Sequence, residues 1–151
     1  MQTERIRCAR LRGKVMMAEE AATLIKDGMT VGMSGFGYAG DCKSVPFALA
    51  RRAADEAVRI TLITGASLGH DIDKTLAAAN VTARRMPFQS DAALRRKINA
   101  GEVMYLDQHL SETVEQLRDL LGTTDTQPAI VLMTNRLAID FAQFVEERRV
   151  F

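Results

Sequence analysis

The sequence is poor in the residues that mark several specialised protein classes. It has no tryptophan, only 5% aromatic residues and two cysteines, Cys8 and Cys42. Two cysteines are too few for a disulfide-stabilised secreted domain, and they form no metal-ligand spacing, so a cytoplasmic location and no metal are expected. No apolar run is long enough to span a bilayer, and residues 1–14 lack the apolar centre of a signal peptide. We therefore expect a soluble protein without a membrane partner.

The sequence also has almost no net charge. Its 20 Lys and Arg residues oppose 19 Asp and Glu residues, which leaves a formal charge of +1. A chain this close to neutrality has no field to attract nucleic acid, so none is expected as a partner. Hydrophobic residues fill 47% of the 151 positions, enough for one domain with a core of aliphatic side chains and methionine.

Short apolar stretches alternate with segments of helical periodicity along the chain. Strands are predicted at residues 29–34, 59–64, 81–88, 103–106 and 129–133. Helices are predicted at residues 17–27, 45–57, 71–79, 91–100, 110–121 and 136–148, with Ser44, Ser90 and Ser111 as N-caps and with Gly28 and Gly101 at left-handed C-terminal positions. The alternation predicts an α/β fold, with an open, mainly parallel sheet of about five strands and helices on both faces.

Ligands of such sheets bind beyond the carboxyl ends of the strands, where four loops are predicted at residues 35–43, 65–71, 88–91 and 107–111. The first contains GFGYAG, which matches the G-x-G-x-x-G pattern of dinucleotide-binding folds. In those folds the helix begins inside the motif, whereas Pro46 predicts a helix start near Ser44. The second strand also lacks a terminal acid for a ribose. The glycines therefore favour another ligand that approaches bare backbone, with a dinucleotide domain or a simple turn as alternatives.

Several motifs in fixed order resemble one enzyme family. They are VMMAEEAATLIKDG, DGMTVGMSGFGYAGDCKSVPFALA, ITLITGASLGHDID, ARRMPFQSDAALRRKINAGEV and YLDQHLSE. Over about residues 14–118 they resemble the N-terminal domain of family I coenzyme A transferases, in the branch of acetyl-CoA hydrolases and succinyl-CoA:acetate CoA-transferases. Ser34 and Cys42 stand where many members have glycine and proline. We expect one domain, 1–151, with a divergent or truncated end at 119–151.

The resemblance implies exchange of CoA between an acyl-CoA and small carboxylates, with the CoA thioester as substrate and no bound cofactor. In this chemistry a glutamate attacks the thioester and backbone donors hold the oxyanion. The family's nucleophile lies in a second α/β domain, so no catalytic residue is expected among the nine glutamates of this chain. We expect the chain to be inactive alone, with a second CoA-transferase domain or a second copy as its partner. A non-catalytic subunit that only binds a partner is an alternative.

The expected substrate-binding residues lie in the loops at the carboxyl ends of the strands: Gly35, Phe36, Gly37, Gly40, Lys43, Gly65, His70 and His109. Lys43 is a candidate contact for a carboxylate or a CoA phosphate, or else a solvated loop lysine. His109 is either a proton-transfer group oriented by Asp107 or a packed or capping histidine. The charged pair Arg84 and Arg85 is interpreted as a solvated face or a contact with a partner domain.

Overall fold

Short helices and strands alternate in the structure, a computed structural model that describes residues 6–33, 42–65, 70–109, 111–113, 115, 119 and 130–133. A 3-10 helix, Ala9–Lys14, comes first. The α-helices are α1 Ala18–Thr23, α2 Ser44–Arg52, α3 His70–Ala78 and α4 Ala92–Asn99. The strands are β1 Thr30–Met33, β2 Ile60–Thr64, β3 Thr82–Met86, β4 Met104–Tyr105 and β5 Ile130–Met133. No helix in these described ranges is long and apolar enough to cross a membrane.

The strands form one five-stranded sheet in the order β4-β3-β2-β1-β5, and every neighbouring pair is parallel. From β1 to β4 each strand lies beside its predecessor in the same direction, so right-handed crossovers place α2, α3 and α4 on one face. Consistent with this, α1 packs on α2, α2 on α3, and α3 on α4. The predicted fold class is confirmed.

The chain between β4 and β5 joins the two outer strands of the sheet. It includes the predicted helix 110–121, of which residues 111–113, 115 and 119 are helical. The remaining positions of that helix, and all of the predicted helix 136–148, lie outside the described residues.

The core between the sheet and the helices is aliphatic. Val31 and Leu62 are paired in the β1–β2 register and face the helices, where Leu49, Ile72 and Leu76 pack against them. All five side chains are fully buried. Burial of a side chain of this size contributes about 1.5–3 kcal/mol, so these contacts dominate the attachment of α2 and α3 to the sheet. No aromatic side chain among the described residues is fully buried.

The helix ends match the sequence predictions at Gly101, which follows the last turn of α4, and differ at Gly28 and at two serines: α1 ends at Thr23, four residues before the predicted end at 27. Gly28 (φ 77) and Gly101 (φ 75) have the left-handed backbone predicted for them. Ser44 is not an N-cap, because it is already the first residue of α2 and Lys43 precedes the helix. Ser90 is not an N-cap either: Asp91 takes this role, and its Oδ1 accepts hydrogen bonds from the N–H groups of Ala93 (2.8 Å) and Leu94 (2.9 Å).

A buried ion pair joins α3 to β3. The Arg85 guanidinium donates from Nε to Asp73 Oδ1 (2.9 Å) and from Nη2 to Oδ2 (3.3 Å), and Nη1 donates to the Met86 carbonyl. The two side chains are 0% and 2% exposed. The interpretation of Arg85 as a solvated residue was wrong, because the register places it beside Leu62, on the face covered by α3. Its neighbour Arg84 points to the other face and is exposed.

Replacing Asp91 by alanine removes the acceptor for two helix N–H groups. We expect Asp91→Ala to lower the free energy of unfolding by about 1 kcal/mol, measured by urea denaturation. The matched control is Ser90→Ala at the exposed neighbouring position, for which we expect almost no change. Equal losses in the two variants would contradict the assignment of Asp91 as the cap.

Breaking the ion pair on one side leaves a buried charge without its partner. We expect Asp73→Leu and Arg85→Met each to cost about 3–5 kcal/mol, and the double variant Asp73→Leu/Arg85→Met to be more stable than either single variant. Urea denaturation followed by circular dichroism measures all three. Single variants that lose less than about 1 kcal/mol would show that the pair is solvated in solution.

Candidate functional site

The carboxyl ends of the parallel strands lie along one edge of the sheet, which we call the ligand edge. Its described residues are those that follow β1 to β4: 42–43, 65, 87–91 and 106–109. Sheets of this kind bind their ligands at this edge, because the loops there converge and the crossover helices begin there. Part of each of the four predicted ligand-side loops therefore belongs to it.

The glycine loop is described only at its flanks. Gly35, Phe36, Gly37 and Gly40 lie outside the described residues, and their binding role stays a prediction. The flanks show that β1 ends at Met33 and that α2 begins at Ser44, with Pro46 in its first turn. The predicted helix start is thus confirmed. This helix begins after the last glycine of the motif, unlike the helix of a dinucleotide-binding fold, which begins within it.

Three further predicted residues flank the ligand edge. Lys43 is exposed, and its carbonyl accepts the N–H of Phe47 (3.1 Å) in the first turn of α2. The carbonyl of Gly65 accepts the Thr64 hydroxyl (2.7 Å) directly after β2. His70 is the first residue of α3, and its side chain lies outside the described part of the structure. These placements agree with positions beside a ligand, and the binding roles stay predictions.

His109 makes the contacts of a capping residue. Its Nδ1 lies 2.8 Å from Ser111 Oγ and accepts the Ser111 N–H (3.3 Å), and its carbonyl accepts the Glu112 N–H (3.0 Å). Ser111 is itself helical, so it is not the non-helical N-cap that was predicted. Within the described residues the imidazole contacts Ser111 and not Asp107, which favours the structural alternative for His109.

Asp107 raises the pKa of Tyr105, a residue that the sequence alone did not indicate as a functional candidate. Tyr105 ends β4 and is paired in register with Arg85. Burial raises the pKa of the Tyr105 phenol, and the negative charge of Asp107 raises it further, while the backbone N–H of Gln89 opposes the shift. The hydroxyl stays protonated at neutral pH and is hydrogen-bonded to the Asp107 side chain at the ligand edge.

Gln89 completes a group that we call the polar cluster: Gln89, Tyr105 and Asp107. Gln89 lies in the loop between β3 and α4, and its backbone N–H faces the Tyr105 hydroxyl. Its side-chain Oε1 is buried and has no hydrogen-bond partner among the described residues. The sequence carried one signal for it, since Gln89 is a polar residue within a predicted ligand-side loop. Its proximity to Tyr105 depends on strand pairing and is not visible in the sequence.

The parallel sheet and the start of α2 at Ser44 define an α/β domain that differs from a dinucleotide-binding fold in where this described helix begins. Residues 2–136 match the family described as acetyl-CoA hydrolase/transferase N-terminal domain. The match includes most of the chain, and the protein belongs to this family.

Curated relatives agree with the family. The chain is 42% identical to a succinyl-CoA:acetate CoA-transferase of Clostridium kluyveri over 76% of its own length and 22% of the relative. It is 41% identical to a propanoyl-CoA:succinate CoA transferase of Escherichia coli K12 over 68% of the chain and 22% of the relative. An acetyl-CoA hydrolase of Candida glabrata is 37% identical over 72% of the chain and 21% of the relative. The chain thus spans about a fifth of the length of these relatives.

Solved structures share the fold at low identity. An acyl-CoA transferase from Escherichia coli O157:H7, solved as a thioester complex with CoA, gives a TM-score of 0.59 at 17% identity, over 70% of this chain and 23% of that one. A variant of the decarboxylase AibA/AibB gives a TM-score of 0.56 at 19% identity, over 70% of this chain and 42% of that one. At these identities the similarity establishes the fold alone.

The polar cluster predicts that Tyr105 titrates at a higher pH than an ordinary tyrosine. Because the pKa of the Tyr105 phenol is raised in the folded state, this group stabilises the fold fully at a pH below the ordinary tyrosine pKa of about 10. The stabilisation is lost as the pH rises through the pKa of the phenol in the folded state. In a Tyr38→Phe background, where Tyr105 is the only tyrosine, phenolate absorbance measures its pKa. Asp107→Asn should lower this pKa toward the ordinary value without reaching it, because burial is the larger cause.

Glu112→Gln is the control for that titration, because it removes an exposed carboxylate from the helix that follows Asp107 in the chain. It should leave the pKa of Tyr105 unchanged. An ordinary tyrosine titration in the background protein, or one that Asp107→Asn does not alter, would contradict the cluster.

Proposed function

We propose that this chain forms one wall of the acyl and carboxylate pocket of an acyl-CoA:carboxylate CoA-transferase or acetyl-CoA hydrolase. The observation that carries the proposal is the family match over residues 2–136. The named activities of the relatives, which transfer CoA between acyl groups and carboxylates or hydrolyse acetyl-CoA, supply the substrate class. An acyl-CoA and a small carboxylate are thus the proposed ligands, with the CoA thioester as a substrate and not as a resident cofactor.

The ligand edge is the proposed location of this pocket. The residues that line it in this proposal are Gly35, Phe36, Gly37, Gly40, Lys43, Gly65, His70 and His109. Glycines leave backbone N–H groups accessible, and such donors stabilise the oxyanion that forms when a thioester carbonyl is attacked. The flanks of the glycine loop support this arrangement, since β1 ends at Met33, at the ligand edge, and α2 begins at Ser44.

The proposed reaction needs a carboxylate nucleophile beside that oxyanion site. Three of the described glutamates are already paired with a basic side chain, which does not favour this role. Glu56 pairs with Arg52 and Glu102 with Lys97, at 2.9 Å in both cases. Glu19 pairs with Arg51 on the helix side of the domain, and hydrogen bonds from its own backbone N–H and from Arg51 lower its pKa. We propose that a second domain or a second subunit supplies the nucleophilic glutamate.

Exposed apolar side chains favour a partner-binding role alongside the pocket. Met17, Leu24 and Met104 are 58%, 53% and 61% exposed, and Leu106 beside β4 is 45% exposed. Large apolar side chains on a surface are typical of regions that another domain or subunit covers when they form a contiguous patch. A non-catalytic, partner-binding subunit is therefore the second candidate function, and it differs from the first in needing no acyl-CoA.

Ligand-dependent stabilisation tests the proposed substrate class. We expect acetyl-CoA, but not NAD, to raise the melting temperature of the 151-residue chain, because a ligand that binds the folded state stabilises it by about 2.7 kcal/mol at a hundredfold excess over its dissociation constant. Differential scanning fluorimetry measures the shift. Free adenosine diphosphate is the control for binding through the nucleotide end alone.

Stabilisation by NAD without stabilisation by acetyl-CoA would contradict the proposal and favour a dinucleotide domain. In separate samples of the purified chain we expect no acetyl-CoA to form from succinyl-CoA and acetate, because the proposed nucleophile lies outside this chain. Turnover by the purified chain would show that the nucleophile is among its own residues.

A further inference from the structure

The charge of this nearly neutral chain is unevenly distributed. Residues 5–14 contain five basic residues and no acidic residue, although the whole chain has a formal charge of only +1. The rest of the chain is therefore net negative. We call the described part of this stretch, residues 7–14, the basic segment, and its charged residues are Arg7, Arg10, Arg12 and Lys14. A block of like charges on a surface is typical of a region that contacts an oppositely charged partner.

The basic segment buries none of its own side chains against the domain. All of its residues are exposed, and the 3-10 helix Ala9–Lys14 within it has no buried residue. The Leu11 N–H donates to the Cys8 carbonyl (3.1 Å) and Arg12 Nε donates to the Ile6 carbonyl (3.0 Å), so both of these hydrogen bonds stay within one short stretch of chain. The segment can therefore contact another molecule without uncovering any side chain of its own.

A second exposed surface carries the opposite charge. Glu112, Glu115 and Asp119 are helical and exposed, and their spacing of three and four residues places them along one helix face, which we call the acidic face. Within the part of the chain that the structure describes, neither these carboxylates nor Arg7 and Arg12 form an ion pair. Like charges at this spacing repel each other, so a cationic partner would stabilise the acidic face.

A second copy of the chain satisfies both surfaces at once. Nucleic acid or an anionic membrane would attract the basic segment, but the net negative charge of the rest of the chain opposes the approach of either. Two copies of this chain carry almost no net charge, so they do not repel each other. Each copy also offers one surface of each sign, and an exchange of basic segments gives two equivalent contacts in a closed dimer.

We propose that the basic segment of one copy docks on the acidic face of a second copy. This inference goes beyond the proposed function and does not depend on it. Three of the four basic side chains are guanidinium groups, which can bind a carboxylate through two parallel hydrogen bonds. A single exposed ion pair contributes little to affinity, but each contact of this dimer combines several charges. Because the contacts are exposed to solvent, salt weakens them.

Sedimentation velocity of the wild-type chain at a low and a high salt concentration tests for the dimer. The screening length of charges in solution is about 30 Å at 0.01 M salt and about 3 Å at 1 M salt. We therefore expect a dimer at the lower concentration and mainly monomer at the higher one. A wild type that stays monomeric in low salt, or that dimerises equally at both concentrations, would overturn the inference.

Two charge-reversed variants test which surfaces meet. Arg7→Glu/Arg12→Glu reverses charges in the basic segment, and Glu112→Lys/Glu115→Lys reverses charges on the acidic face. We expect each variant to weaken dimerisation by about tenfold or more, because like charges then face each other. An equimolar mixture of the two variants should recover the dimer, since the unchanged basic segment of one meets the unchanged acidic face of the other and the two reversed surfaces also attract each other.

Arg95→Glu/Arg96→Glu is the matched control, because it makes the same charge change on exposed residues of α4. It should dimerise as the wild type does. Reversed variants that dimerise as the wild type does, or a mixture that recovers no dimer, would overturn the inference. The salt dependence of the wild type is an independent readout if a reversed variant does not fold. A monomeric wild type that binds a labelled oligonucleotide or anionic vesicles would assign the basic segment to that partner instead.

Discussion

The parallel register of the five strands constrains every other feature of this domain. Because each strand runs in the same direction as its neighbours, all carboxyl ends share one edge, and four loops that are distant in sequence meet there. The register also decides which side chains face the helices. It places Val31, Leu62 and Arg85 on one face, which becomes the core, and it leaves Arg84 on the other. The ligand edge and the core are thus two results of a single pairing pattern.

The helices pack against the paired strands and hold the ligand edge in place. Aliphatic contacts hold α2 and α3 against the sheet, and the Asp73–Arg85 pair adds a directional contact that specifies how α3 lies on β3. Arg85 also donates to the Met86 carbonyl, so the same guanidinium holds the end of β3, where the loop with Gln89 begins. A buried ion pair is weak evidence of stability. What the structure shows here is one guanidinium that contacts both Asp73 on α3 and the end of β3.

Local patterns in the sequence predicted the helices and strands. Contacts between residues distant in the sequence determined features that these patterns do not encode. Gly101 and Pro46 each act through their own backbone, so the helix end and the helix start that they mark were predicted correctly. Gly28 has the predicted left-handed backbone, but α1 already ends at Thr23. Ser90 and Asp91 are adjacent residues that both suit an N-cap, and only the position of α4 on the sheet distinguishes them. The burial of Arg85 depends on Asp73, twelve residues away in another element. Likewise Gln89 meets Tyr105 only through the pairing of β3 with β4, which no local pattern encodes.

The central claim is that the acyl-CoA thioester binds at the ligand edge, beside the glycine loop and the polar cluster. Hydrogen–deuterium exchange of the chain with and without acetyl-CoA tests it most directly. The account predicts slower exchange in residues 34–43, 65–71, 87–91 and 106–111, and no change at the opposite edge, where β2 and β3 begin. Slower exchange confined to that opposite edge, or to the outer surface of α1 and α2, would contradict it.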